Sequence, residues 1–241
     1  MPADGGAPEP AQAVAALRPW EQAPAQRPHV LLNMVSTVDG RAAVGGLTAP
    51  MSGPADRQVF HGLRGLADAI LVGAGTLRAE RYGRLVKDPA RRARRAAAGL
   101  APDPLAVVLT ASGELPWDAP LFADEHSRVL VLTRSGLRPP ATAARVEVLP
   151  VQELGPALGV LRGEHGVRAL LCEGGPGLNA SLLRAGLVDE LFLTVAALLG
   201  GDDHEPGIVT GRFLEAPQGL ELVWVKRAGD ELFLRYKVPA R

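Results

Sequence analysis

Short apolar runs recur along this chain, separated by stretches rich in glycine, proline and polar residues. They lie at His29 to Val35, Ala69 to Val72, Leu105 to Thr110, Arg128 to Thr133, Arg145 to Leu149, Arg168 to Cys172 and Asp189 to Ala197. Runs this short and nearly continuous mark strands buried on both faces. Between them the spacing turns helical. Pro54 to Leu66 starts on a proline and places Val59, Leu63 and Leu66 at i, i+4 and i+7. Pro156 to His165 is a second helix, closed by Gly166, and a third begins at about Asn179 and runs to Ala185. Leu220 to Arg227 and Glu231 to Val238, split by Ala228-Gly229-Asp230, predict a hairpin. Strands alternating with helices, then a hairpin, predict an α/β fold. Its sheet is mostly parallel, with helices on both faces and a C-terminal antiparallel hairpin. Residues 1–27, rich in Ala, Pro, Gln and Gly, read as a flexible tail in which Ala11 to Leu17 could form a short helix. Residues 28–241 read as a single domain.

Composition narrows the function classes. Hydrophobic residues make up 47% of the 241 residues but aromatics only 4%, so the core must be built from Leu, Val and Ala. Lys plus Arg equals Asp plus Glu, 26 against 26, and no net field calls for nucleic acid or an acidic membrane surface. The single cysteine, Cys172, excludes an internal disulfide and a cysteine-based zinc site, and its apolar strand suits a small buried residue. The five histidines lack ligand spacing, so no metal is expected. No apolar run is long enough to span a membrane and no signal-peptide pattern opens the chain; a cytoplasmic protein is expected. The arginine-rich stretch from Lys87 to Pro104 reads as a solvated surface excursion rather than an anion patch.

Two glycine-rich turns carry the candidate chemistry. Leu171-Cys172-Glu173-Gly174-Gly175-Pro176-Gly177-Leu178-Asn179 runs from an apolar strand through glycines into a helix. Free N–H groups and the positive helix end then face one point, and glycine lets a phosphate approach the backbone. The same turn could also stand without a ligand. The strand ending at Val72 feeds a second such turn, Gly73-Ala74-Gly75-Thr76-Leu77-Arg78. It is not a standard dinucleotide fingerprint, because Arg78 holds the third glycine position. Two turns of this kind suit the two ends of a pyrophosphate. In open α/β sheets ligands bind beyond the carboxyl ends of the strands. Asn33, Asp39, Ser52, Asp56, Arg57 and Glu173 cluster at such ends and are expected to converge on one cleft. Individually, Asp39-Gly40 could be a plain turn, and Asp56 and Glu173 helix-start charges.

These residues resemble a known family. Val38-Asp39-Gly40-Arg41 resembles an S-[LM]-D-G-K motif, and Leu66 to Thr76 resembles a helix-strand-G-x-G-T element. Glu173-Gly174-Gly175-Pro176-Gly177-Leu178-Asn179 with Gly186-Leu187-Val188-Asp189-Glu190-Leu191 is similar to E-G-G-x-x-L-N followed by G-L-V-D-E-L. The family is that of the pyrimidine reductases of riboflavin biosynthesis, including the reductase half of the bifunctional deaminase–reductase. The resemblance implies a dihydrofolate-reductase-like fold, with a cis peptide at the Gly174-Gly175 turn, and NADPH as hydride donor. The implied substrate is 5-amino-6-(5-phosphoribosylamino)uracil, reduced at its ribose to a ribityl chain. It places Gly73, Gly75, Thr76 and Leu77 on one side of the cofactor pyrophosphate and Gly174, Gly175, Gly177, Leu178 and Asn179 on the other. Thr110 and Ser112 would lie near the adenosine 2′-phosphate, and Asn33, Asp39 and Glu173 would face the substrate as the catalytic candidates, Asn33 and Asp39 orienting it and Glu173 holding a ribose hydroxyl or relaying the proton.

The chain departs from the family pattern at Arg41, which replaces a lysine, at Ala79 to Leu85, and at Ala196 to Gly201. The middle departure falls where substrate recognition is expected. Alternatives are a paralogous reductase of a pterin or dihydrofolate, and a nucleotide-binding protein without catalysis. The apolar residues Leu191, Leu193, Val195, Leu220, Leu222, Val223, Val225, Leu232 and Leu234 exceed what one sheet face needs and predict a homodimer.

Overall fold

The computed structural model describes residues 9–201, 204–211 and 216–239. Nine strands form one sheet: β1 (His29–Thr37), β2 (Ala69–Gly73), β3 (Leu105–Thr110), β4 (Arg128–Thr133), β5 (Arg145–Pro150), β6 (Ala169–Cys172), β7 (Glu190–Ala196), β8 (Glu221–Ala228) and β9 (Glu231–Lys237). Their spatial order is β5-β4-β3-β2-β6-β1-β7-β9-β8. β1 to β7 pair in parallel, while β9 runs antiparallel to β7 and to β8. The expected strands are therefore all present, with ends within a residue or two, as is the terminal hairpin.

The helices are α1 (Pro10–Ala15), α2 (Pro54–Leu66), α3 (Ala74–Glu80), α4 (Pro89–Ala97), α5 (Leu154–Gly163) and α6 (Pro176–Arg184). They cover both sheet faces, because alternate residues of each parallel strand supply two separate cores. Leu31, Ile70, Val72, Val108 and Val131 pack with Val14, Val59, Leu63 and Leu77 of α1, α2 and α3. Val30, Leu32, Leu71, Val107 and Leu132 pack with Leu158, Leu161, Leu178 and Leu182 of α5 and α6. That is why the strands read as unbroken apolar runs.

One reading is met at the N-terminus and two expectations are corrected. Within the N-terminal stretch, the short helix allowed at Ala11 to Leu17 is present as α1, whose Val14 is fully buried against the core. The helix placed from Asn179 begins at Pro176, with Gly175 as its N-cap, because proline at the first helical position fits a fixed helical φ and needs no N–H partner. The arginine-rich excursion contains α4, and Arg95 is 2% exposed rather than solvated. Its Nη1 donates to the carbonyls of Arg64 and Ala67 at 2.7 and 2.8 Å, and its Nε to that of Ala101 at 2.9 Å. A cation on the last carbonyls of α2 satisfies groups the helix cannot satisfy itself.

Candidate active site

The site is opened by a short strand. β6 pairs with β1 only over His29 to Leu32, whereas β1 continues to Thr37 beside β7. Beyond Leu32 a notch remains between β1 and β2, floored by the turn that leaves β6. Gly73 N–H donates to the Gly174 carbonyl at 2.9 Å, and Glu173 N–H to that of Leu71 at 2.9 Å, so the turn is pinned to β2. The Gly174–Gly175 peptide is cis, as the resemblance implied, and Gly174 has φ +87°.

Two clefts flank this turn at the carboxyl ends of the parallel strands. The larger, about 1140 Å³, is lined by Gly73, Gly75, Thr76, Thr110, Ser112, Gly175, Gly177 and Leu178, all expected as cofactor residues. A Cβ on Gly175 would lie 2.8 Å from Thr76 Oγ1, so the two glycine turns approach too closely for a side chain there. Arg78 and Arg134 also line this cleft; both are exposed, with Arg134 Nη2 on the Gln152 carbonyl at 3.0 Å. Thr110 is buried, and its hydroxyl accepts from Gly113 N–H at 3.1 Å; Ser112 is exposed beside it.

Three expected cofactor residues do not reach that cleft. Leu77 is fully buried in the core under α3. Asn179 is also fully buried; its Nδ2 donates to the Ile208 carbonyl at 2.7 Å, and so ties α6 to the loop after β7. Gly174 is buried behind Gly175, where a Cβ would lie 3.1 Å from Met34 Sδ. Helix geometry turns Leu77 and Asn179 inward, a fact motif order alone does not carry.

The second cleft, about 330 Å³, meets the first at Thr76, which lines both. It is lined by Asn33, Ser52, Asp56, Arg57 and Glu173, so five of the six expected substrate-side residues converge. Asn33 is half-buried, just past the point where β6 stops. Ser52 Oγ donates to Asp56 Oδ2, and Arg57 Nη1 donates to the Ser52 carbonyl at 2.7 Å. Thr48 N–H and Oγ1 both donate to Glu80 Oε1 at 2.9 Å, which closes one wall.

Asp39 is the exception. It is exposed and lies outside both clefts; its carboxylate accepts from Thr37 Oγ1 at 2.6 Å and from Gly200 and Gly201 N–H at 2.9 Å each. The Thr37 hydroxyl, then the two backbone N–H groups, hold this carboxyl well below its usual range. Asp39 therefore ties the end of β1 to the loop after β7.

Glu173 is present but occupied. Arg64 Nε and Nη2 donate to Oε1 and Oε2 at 2.6 and 2.7 Å, and Tyr82 Oη donates to Oε2 at 2.8 Å. Arg64 Nη1 holds the Leu85 carbonyl at 2.8 Å, and its guanidinium lies 4.2 Å from the Phe60 ring centroid and 5.2 Å from that of Tyr82. Burial pulls the guanidinium down, but the charge and hydrogen bonds of Glu173 outweigh it and leave Arg64 above its ordinary value. Burial, then the Glu173 charge, pushes the Tyr82 phenol well up. Both Glu173 oxygens are thus engaged by Arg64 and Tyr82 within the cleft wall. Sequence reading missed Arg64 and Tyr82. Arg64 reads as an ordinary helix charge, and Tyr82 lies in the segment that departs from the family pattern.

Arg57, His61 and Lys87 add basic groups to this cleft. Burial, then the charge of Arg64, lowers the His61 imidazole below its ordinary value. Among the described residues no cluster of His, Cys, Asp and Glu could hold a metal ion, and no helix is long and apolar enough to cross a membrane.

A nine-stranded sheet of this topology, with paired clefts at its carboxyl edge, is a dihydrofolate-reductase-like fold. The dihydrofolate reductase of Enterococcus faecalis superimposes with a TM-score of 0.50 at 14% identity, over 87% of this chain and 96% of that one. Residues 28–234 match the RibD C-terminal domain family, and the chain belongs to it. It is 30% identical to the 2,5-diamino-6-ribosylamino-4(3H)-pyrimidinone 5′-phosphate reductase of Methanothermobacter thermautotrophicus over 223 residues, 88% of this chain and 99% of that protein. A pyrimidine reductase-like protein from Corynebacterium diphtheriae superimposes with a TM-score of 0.81 at 25% identity, over 97% of this chain and all of that one.

Proposed function

We propose that this chain reduces the ribosyl group of a phosphorylated 6-ribosylaminopyrimidine to a ribityl chain, with NADPH as reductant. The observation that carries this reading is the junction at Thr76. A dinucleotide-sized cleft built from two glycine turns opens there into a smaller polar cleft beside Asn33. The close approach of Gly175 to Thr76 leaves backbone rather than side chain facing the larger cleft, which suits a pyrophosphate. Arg78, Arg134 and Ser112 would meet a 2′-phosphate with cations and a donor. NADPH, when bound, supplies a hydride from C4 of its nicotinamide.

The chain's own residues do the rest. Asn33 and the Ser52–Asp56–Arg57 group orient the pyrimidine and its open-chain sugar, and Arg57 and Lys87 lend positive charge to its phosphate. The pair Arg64–Glu173 holds the cleft floor rigid. The sugar carbon C1′, as an imine, gains hydride, and its nitrogen gains a proton, so the C=N bond becomes an amine. The uracil form is the substrate implied by the sequence resemblance. The archaeal relative, matched over 99% of its length, favours the 2,5-diaminopyrimidinone form as a second reading.

The test is turnover of reduced cofactor with each pyrimidine, and with dihydrofolate as the competing substrate. One of the two pyrimidines should be reduced, and NADPH should bind about tenfold or more tighter than NADH, ~1.4 kcal/mol. Turnover of dihydrofolate alone would support the paralogue, and none at all the non-catalytic binder.

The assembly proposed is a homodimer. Leu222, Val225 and Leu232 are 56%, 53% and 41% exposed on the C-terminal hairpin, whose outer strand β8 is a sheet edge. A second copy would cover this face.

A further inference from the structure

We infer that Glu231, at the tip of the C-terminal hairpin, is a positioning residue for the substrate cleft, a role that rests on reading that cleft as the substrate site. Glu231 is the first residue of β9, paired with Ala228 across the turn. Its carboxylate leaves the hairpin and accepts the N–H of Gly53 at 3.2 Å, across 178 residues of sequence. Gly53 is the N-cap of α2 and makes no side-chain cap of its own. A Cβ on Gly53 would lie 2.6 and 2.8 Å from the two Glu231 oxygens, so the carboxylate fills the space a cap side chain would use. An N-terminus of this kind needs an acceptor, and here a distant strand provides it.

What the cap holds is the substrate side of the cleft. Ser52 precedes Gly53, and Asp56 and Arg57 lie in the first turn of α2. Ser52 and Asp56 are hydrogen-bonded to each other, and Arg57 holds the Ser52 carbonyl. All three line the second cleft, but Glu231 does not. Glu231 therefore acts through them. The hairpin does not need this contact, because β9 is paired with β8 from Glu231 onward and with β7 from Leu232 onward. The segment from Ser52 to Arg57 does, because its entry into α2 has no local cap.

The test uses the full chain with Glu231→Ala, Glu231→Asp and Glu231→Gln. Amide hydrogen exchange of residues 52–57, KM for the pyrimidine phosphate, kcat and the NADPH dissociation constant are measured together. Glu231→Ala and the shorter Glu231→Asp should speed exchange at 52–57 and raise KM by about five- to tenfold, as expected for a lost cap. Both kcat and NADPH affinity should stay within about twofold. Glu231→Gln keeps an acceptor oxygen and should restore KM and exchange. Unchanged exchange and KM in the Ala and Asp variants would overturn the inference. So would a uniform loss of KM, kcat, NADPH affinity and thermal midpoint, which marks general damage. If the unaltered chain turns over neither pyrimidine, the substrate reading fails, while exchange at 52–57 still decides whether Glu231 braces α2.

Discussion

Arg64 and Glu173 meet as a two-point ion pair, Nε to Oε1 at 2.6 Å and Nη2 to Oε2 at 2.7 Å, with the Glu173 side chain 1% exposed. The pair joins α2 to the turn after β6, the elements that carry the two halves of the cleft. Removing one partner strands the other as an uncompensated buried charge. Arg64→Ala or Glu173→Ala should therefore cost about 3–5 kcal/mol of stability in urea unfolding. A proton-relay role predicts the reverse pattern, with Glu173→Gln folding as before while turnover falls by about 10²–10⁴. Stability and turnover measured on the same Glu173→Gln sample separate the two.

Gly175 faces Thr76 so closely that an added Cβ would lie 2.8 Å from its hydroxyl. Gly175→Ala should weaken NADPH binding by about tenfold or more, ~1.4 kcal/mol, with a smaller change in thermal midpoint. Thr76→Ala removes the clashing oxygen, so the double variant should recover part of that affinity. Equal affinities for the parent and Gly175→Ala would mean that the glycine turns do not contact the dinucleotide.

Glu190 is 2% exposed and is held by Arg235 at 2.6 and 2.8 Å and by His29 Nε2 at 3.2 Å. Burial pushes its carboxyl up, but these partners outweigh it and bring it down to about 2 from an ordinary 4.5. A depressed carboxylate contributes stability that is present above pH 4.5 and lost as pH falls towards 2. Urea midpoints followed through that interval should fall for the parent chain, while Glu190→Gln starts lower and shows a flatter profile. Parallel profiles would remove Glu190 from the acid response.

The exposed apolar face of the hairpin should make the chain a dimer. Light scattering at micromolar concentration should give twice the chain mass, and Val225→Lys should shift it towards monomer, since Val225 is 53% exposed and needs no core partner to fold. A monomer mass for the unaltered chain would refute the assembly.

The parallel strands were legible because burial on both faces leaves an unbroken apolar run, as in Ala69–Gly73 and Leu105–Thr110. The glycine turns were legible because backbone chemistry is written in the absence of side chains at Gly73, Gly75 and Gly175. What was hidden depends on tertiary closure. Arg64, Arg95 and Glu231 read as ordinary surface charges, since their partners lie 109, 31 and 178 residues away. Asp39 was placed correctly at a strand end, but its carboxylate turned to Gly200 and Gly201 rather than to the cleft. Leu77 and Asn179 belong to the right turns, yet helix rotation points them into the core. Motif order locates a site, and the direction of each side chain comes only with packing.

In the proposed reaction hydride crosses from the large cleft to a sugar carbon in the small one, past Thr76. The direct measurement is isotope transfer with NADPH deuterated at C4 on the transferred face, the phosphoribosylaminopyrimidine as substrate, and mass spectrometry of the product. Each product molecule should carry one deuterium, located at C1′ of the ribityl chain. Product that forms without deuterium, or carries it on the pyrimidine ring, would contradict it.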